Sequence, residues 1–194
     1  MSTSLYIITN SKLKGDETSA DFDNILSQLK ELNLCKTLYE GPKGQLIQEI
    51  GDWSYEIEED NEELEIIYNV SFNGPFSCTP NLYSNIGIIW TIYKYRLIYE
   101  TKEIYWFDEF RREVFEIVKI MGGSEIIYVA DNACDKLSGY LEGMAFNNIS
   151  YEEIKETMIK EMGQPVKQYE QLDYHKLSYK NINEFFLDDF SDLK

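Results

Sequence analysis

The sequence predicts a single α+β domain spanning residues 1–194, with a mainly antiparallel sheet and three or four helices packed on it. Three observations predict this. A chain of 194 residues with 43% apolar and 14% aromatic content has the length and composition to bury one ordinary core. The first half alternates short β-rich runs with Gly, Asn and Pro turn signals. Separated stretches then place apolar residues at helical spacing.

Taken in order, Leu5 to Thr9 is a short β-rich run, and Phe22, Ile25, Leu26, Leu29 and Leu32 mark one face of a helix over about 20 to 33. Thr18 or Ser19 is placed to cap its start and Asn33 to end it. Leu34 to Tyr39, Gln45 to Ile50, Trp53 to Ile57 and Leu64 to Phe72 read as strands, punctuated by Gly41-Pro42, Gly51-Asp52 and Asn73-Gly74-Pro75. Ile86 to Tyr99 reads as a strand by its β-branched and aromatic content, although Tyr83, Ile86, Trp90, Tyr93 and Leu97 also fit a helical face. Phe107, Phe110, Val114, Ile117, Val118 and Met121 share one face of a helix that Gly122-Gly123 stops. Glu125 to Ala130 is a central strand, because both its faces are apolar. Ser150-Tyr151-Glu152-Glu153 is a capping box opening a helix to about Met162, ended by Gly163 and Pro165. A short acidic helix is expected between Asn181 and Asp192.

Charge excludes several functions. Thirty-five acids against eighteen bases give −17, which opposes binding to nucleic acid or to an anionic membrane and favours a cationic partner. No run approaches the roughly 20 apolar residues that span a bilayer. The start, MSTSLYIITNSK, lacks the basic and apolar regions of a signal peptide. Cys35, Cys78 and Cys134 are widely spaced and form no CxxC pair, so neither a disulfide framework nor a zinc site is expected. A cytoplasmic protein fits these features.

Catalytic chemistry finds little footing. The single histidine, His175, lies in LDYHKLSY without a nucleophile elbow beside it, and Cys78 in GPFSCTPN has no neighbour to depress its pKa. The glycines of MGGSE stop a helix and do not open a phosphate loop. Asp131, ending the run IIYVAD, sits where α/β folds place ligand groups, with Asp135 one turn on, but Asp131 or Asn132 as the cap of the following turn is the favoured reading. Asp108, Glu109 and Glu113, beside Arg111 and Arg112, read as a solvated helix face with local ion pairs. Asp188, Asp189 and Asp192 read as acids that meet a helix dipole. In residues 88–107, aromatics interleave with Lys94, Arg96 and Lys102, a pattern shared by single-stranded nucleic acid binders and protein interfaces; the overall charge favours the latter. No catalytic residue, cofactor or metal is therefore assigned. The alternatives left open are an enzyme using Asp131 with other carboxylates and a metal, and a scaffold subunit of a larger complex.

The stretch EIEEDNEELEI is the candidate partner-binding surface. Between Asp52 and Glu65 stand eight acids and no base. A hairpin turn at Glu59 to Glu62 tolerates such charge in water and blunts strand aggregation. The same charges would steer a cationic protein, with Glu56, Glu58, Glu59, Asp60, Glu62 and Glu63 supplying the field and Trp53 and Tyr55 the apolar anchors.

The segment FRREVFEIVKIMGGSEIIYVADNACDK, followed by SYEEIKETMIKEMGQP, resembles the helix, strand and capped-helix pattern of immunity proteins from bacterial polymorphic or contact-delivered toxin systems. The resemblance covers the second half of the chain. It implies a small acidic cytoplasmic protein with no catalytic machinery, which neutralises one cognate toxin by covering its active or substrate-binding site. The partner it implies is a toxin domain, basic in character, and it assigns no binding residue.

Overall fold

A computed structural model describes residues 5–32, 52–61, 66–74, 78–91, 104–130, 147–168 and 185–193. Among them, seven strands form one antiparallel sheet: β1 (Leu5–Thr9), β2 (Ser54–Asn61), β3 (Ile66–Asn73), β4 (Thr79–Tyr83), β5 (Gly87–Thr91), β6 (Ile126–Ala130) and β7 (Phe185–Asp188). Their order across the sheet is β2-β3-β4-β5-β1-β6-β7. Three helices accompany it, α1 (Ser19–Glu31), α2 (Ile104–Ile120) and α3 (Tyr151–Met162). This is the α+β domain that the sequence predicts.

The central strands are apolar on both faces. Ile7 and Ile8 of β1, and Ile126, Ile127, Tyr128 and Val129 of β6, are all fully buried. Successive side chains of a strand point to opposite faces, so both faces of the sheet must be covered. One face receives α1, whose Phe22 ring lies 6.0 Å from Tyr55, and α2, whose Phe110 ring lies 6.3 Å from Tyr128. Ile127 and Val129 point to the other face, as does Glu125 just before them. On that side Glu125 accepts a hydrogen bond from the Tyr151 hydroxyl at 3.1 Å and an ion pair from Lys155 at 2.5 Å, which ties α3 down.

The helix ends follow the capping chemistry. Asp21 accepts from both the backbone N–H and the hydroxyl of Thr18, at 2.8 Å each, and Glu153 does the same for Ser150. Those bonds hold both carboxyls below their ordinary pKa values. Gly122 and Gly163 follow α2 and α3 with φ of 79° and 89°, where a side chain would strain the backbone.

Several expectations are corrected. The acidic helix expected within residues 181–192 is instead strand β7 over Phe185–Asp188, paired antiparallel to β6. Strand β4 was not expected, because Pro80 and Asn81 weaken its signal. Pro80 is tolerated since pairing with β3 begins only at Asn81, so the missing N–H costs no bond in that ladder. β2 runs on to Asn61, and α2 begins at Ile104. Cys78, by contrast, is buried at 2% exposure, as a cysteine serving as a small apolar residue is expected to be. The strands expected at 34–39 and 45–50, the end of the 86–99 run, Cys35, Cys134, Asp131, Asp135 and His175 lie outside the described residues.

Candidate functional site

The acidic stretch folds onto β2, the outermost strand of one sheet edge among the described residues. Glu56, Glu58 and Glu59 are exposed there, as is Asp52 just before the strand. Alternation puts Glu56 and Glu58 on one face and Trp53, Tyr55 and Ile57 on the other. The register is broken at Glu58/Glu59 and again at Glu59/Asn61, a bulged irregularity that re-aims the side chains beyond it. Asp60 belongs to this strand, while its side chain, Glu62 and Glu63 fall outside what is described.

The structure therefore divides the residues that the sequence grouped. Trp53 is 6% exposed, and its ring lies directly over Gly74, where an added Cβ would stand 2.4 Å from the nearest ring carbon. Tyr55 packs between Phe22 and Phe72 and donates its hydroxyl proton to Asp23 at 2.9 Å. Burial and that acidic acceptor raise the Tyr55 pKa. Tyr55 holds α1 against the sheet and Trp53 covers Gly74 at the end of β3, so neither lies on the face that carries Glu56 and Glu58.

A polar row missed by sequence reasoning crosses that surface. Glu58 faces Asn69, Glu56 faces Ser71, and Ser71 in turn faces Asn81 on β4. Asn69 donates through Nδ2 to the Glu58 carboxylate, and the Ser71 hydroxyl lies in hydrogen-bond contact with Oδ1 of both Asn69 and Asn81. Asn81 Nδ2 donates to the Thr79 carbonyl at 3.1 Å. Asn69 and Asn81 are only 5% and 8% exposed. The sequence signal was the alternation of Asn69, Ser71 and Asn73 with apolar Val70 and Phe72.

Arg111, on the helix that carries Asp108, Glu109 and Glu113, bonds two acids of the C-terminal grouping. Its Nε and Nη2 bond both oxygens of Asp188 at 2.7 and 2.8 Å, and Nη1 and Nη2 bond Asp192 at 2.9 and 2.8 Å. Arg111 and Asp188 are 8% and 3% exposed, which corrects the reading of Arg111 as part of a solvated face. Asp188 also accepts the Phe190 backbone N–H at 3.0 Å, which supports Phe190 at a φ of +54° with its ring 4.7 Å from Phe115. The paired carboxylates hold Arg111 firmly charged, with Asp188 the larger influence. Both oxygens of Asp188 are engaged, so this cluster fastens the C-terminal segment to α2. Arg112, by contrast, makes the exposed pair with Glu109 expected of it.

The chain matches no protein-family model, no curated protein and no solved structure. Among the described residues no group of three or more His, Cys, Asp or Glu side chains is placed to hold a metal ion, and no helix is long and apolar enough to cross a membrane. What the described surface offers is an exposed row of carboxylates on an edge strand.

Proposed function

We propose that this protein acts by binding rather than catalysis, receiving a cationic protein on the acidic β2 edge. The observation that carries the reading is the exposure of Glu56, Glu58 and Glu59 along one outermost strand, in a chain of net charge −17. Such a field raises encounter rates with a basic partner and selects against acidic ones. The resemblance of the second half to toxin immunity proteins supplies the partner's class: a cognate toxin domain, neutralised stoichiometrically by occlusion in the cytoplasm.

The test is protection. The protein is co-expressed with the product of its neighbouring gene, and host growth is scored alongside the mass of any complex. Restored growth with a one-to-one complex that loosens at high salt supports the reading. A partner that is not toxic alone, or a toxic one whose effect persists without complex formation, refutes it. With the complex in hand, Glu56→Gln, Glu58→Gln and Glu59→Gln together should slow association by about tenfold at low salt and flatten its salt dependence. Unchanged association kinetics would remove this strand from the contact.

A further inference from the structure

We infer that residues 185–193 form a latch that opens and closes as one unit while the rest of the domain stays folded. The segment carries β7, at the sheet edge opposite β2 among the described residues, and is independent of the acidic-edge reading. Its fastenings meet at one carboxylate. Asp188 holds Arg111 of α2 through both oxygens, at 2.7 and 2.8 Å, and one of those oxygens also accepts the Phe190 backbone N–H at 3.0 Å. That last bond supports Phe190 at a φ of +54°, a costly conformation for a bulky L residue, which is fully buried with its ring 4.7 Å from Phe115. Asp192 grips Arg111 as well, at 2.8 and 2.9 Å. If β7 lifts from β6, Asp188 leaves Arg111, the strained turn loses its support, and relaxation of the backbone withdraws the Phe190 ring. The parts therefore release together.

What remains is held by other means. β7 meets β6 over four residue pairs, from Val129 with Phe185 to Ile126 with Asp188, and Phe186 bridges to Val166. β6 is bound along its other side to β1 over all five of its residues, so it stays in the sheet when β7 leaves. α2 keeps Val114, Ile117 and Val118 in the core, each at 3% exposure or less. Opening forfeits the contacts of this segment and regains the backbone freedom of Phe190, whereas global unfolding must also break the ladders of β1 to β5. The open state bares the far edge of β6 over Ile126 to Val129 and uncovers the Arg111 guanidinium.

The experiment is native-state hydrogen exchange of the full chain, followed by NMR at a series of low urea concentrations. The latch is reported by the amides of Phe190, Leu193 and Val166, which are bonded to Asp188, to the Phe190 carbonyl and to the Phe185 carbonyl. The core is reported by Ile7 and Ile8, on a strand paired on both sides. The three latch amides should share one opening equilibrium, weakly dependent on urea and populated at least about tenfold more than the opening that exposes Ile7 and Ile8. Two variants that keep the fold separate a latch from a merely stabilising contact. Ser150→Ala removes a cap that is intact whether the latch is open or closed, so it should speed exchange at Ile7 and Ile8 about fivefold and leave Phe190 and Leu193 unchanged. Asp192→Asn weakens the closed state alone, so it should speed exchange at Phe190 and Leu193 about threefold. Latch amides that match Ile7 and Ile8 in rate and urea dependence, and respond to Ser150→Ala as they do, would overturn the inference. Latch amides that open independently of one another would overturn it too.

Discussion

Replacing Arg111 by Met should be among the most damaging single changes in the described part of the chain. Methionine fills much of the same space but leaves the Asp188 carboxylate, 3% exposed, without the two bonds of 2.7 and 2.8 Å that neutralise it. Removing one member of a buried pair costs about 3–5 kcal/mol, because the remaining charge is desolvated without compensation. For a chain of this size that corresponds to a melting temperature lower by roughly 10 °C. Asp192 behaves differently. Its side chain is 62% exposed, so water replaces the lost partner and Asp192→Asn should cost under about 1 kcal/mol. The informative comparison is the double variant Arg111→Met with Asp188→Leu, which removes both charges and should recover most of the stability lost in the single. Urea unfolding of the wild type, the single variants Arg111→Met and Asp188→Leu, and the double gives the coupling directly. A neutral Arg111→Met, or a double variant no better than the single, would show that Asp188 is not a buried charge paired to α2.

Three further outcomes follow from the packing and the caps. Gly74→Ala places a Cβ 2.4 Å from the Trp53 ring, so it should destabilise by about 1–3 kcal/mol and red-shift the tryptophan emission as the ring is displaced; an unaltered spectrum would mean that the ring does not lie on Gly74. Ser150→Ala removes the acceptor of the Glu153 N–H at the start of α3 and should cost about 1 kcal/mol, with Ser150→Asp restoring it, read from the urea midpoint. Asp21, Glu153 and Asp192 all have lowered pKa values, the first two from bonds to their capping residues and the third chiefly from Arg111. A depressed carboxyl contributes stability above its unfolded value, 3.8 for Asp and 4.5 for Glu, and loses it as pH falls through the folded value. Stability should therefore fall between pH 5 and pH 2, and Asp192→Asn should flatten part of that fall; a protein that grows more stable with acid would contradict the assignment.

Helices with a clean cap or a clean stripe were legible in the sequence. Ser150 to Glu153 announced α3 at its true start, and the apolar run before Asp131 announced a strand buried on both faces. Phe185-Phe186-Leu187 misled because a short apolar run has no period of its own, and the acids after it suggested a helix end. Arg111 misled for another reason. It stands four residues after Phe107 and three before Val114, on the apolar stripe, yet its nearer neighbours Glu109 and Arg112 suggested water. Its true partners lie near the other end of the chain, and local periodicity cannot reveal a pairing made across that distance. The acidic surface was legible as charge and not as geometry, since only the strand register separates Glu56 and Glu58 from Tyr55 and shows Asn69 and Ser71 beside them.

The position of β1 bears on how the chain is made. Strand β1 is synthesised before both of its partners, which end at Thr91 and Ala130, and it is hydrogen-bonded to both. The β2 to β5 meander can zip from neighbour to neighbour as it emerges, but it has no link to β6 until β1 is inserted. Nascent chains shorter than about residue 130 therefore hold Ile7 and Ile8, fully buried in the finished sheet, on a strand that lacks one of its flanking partners. A holding factor near the exit tunnel, or slow synthesis through that interval, should therefore change the yield of folded protein.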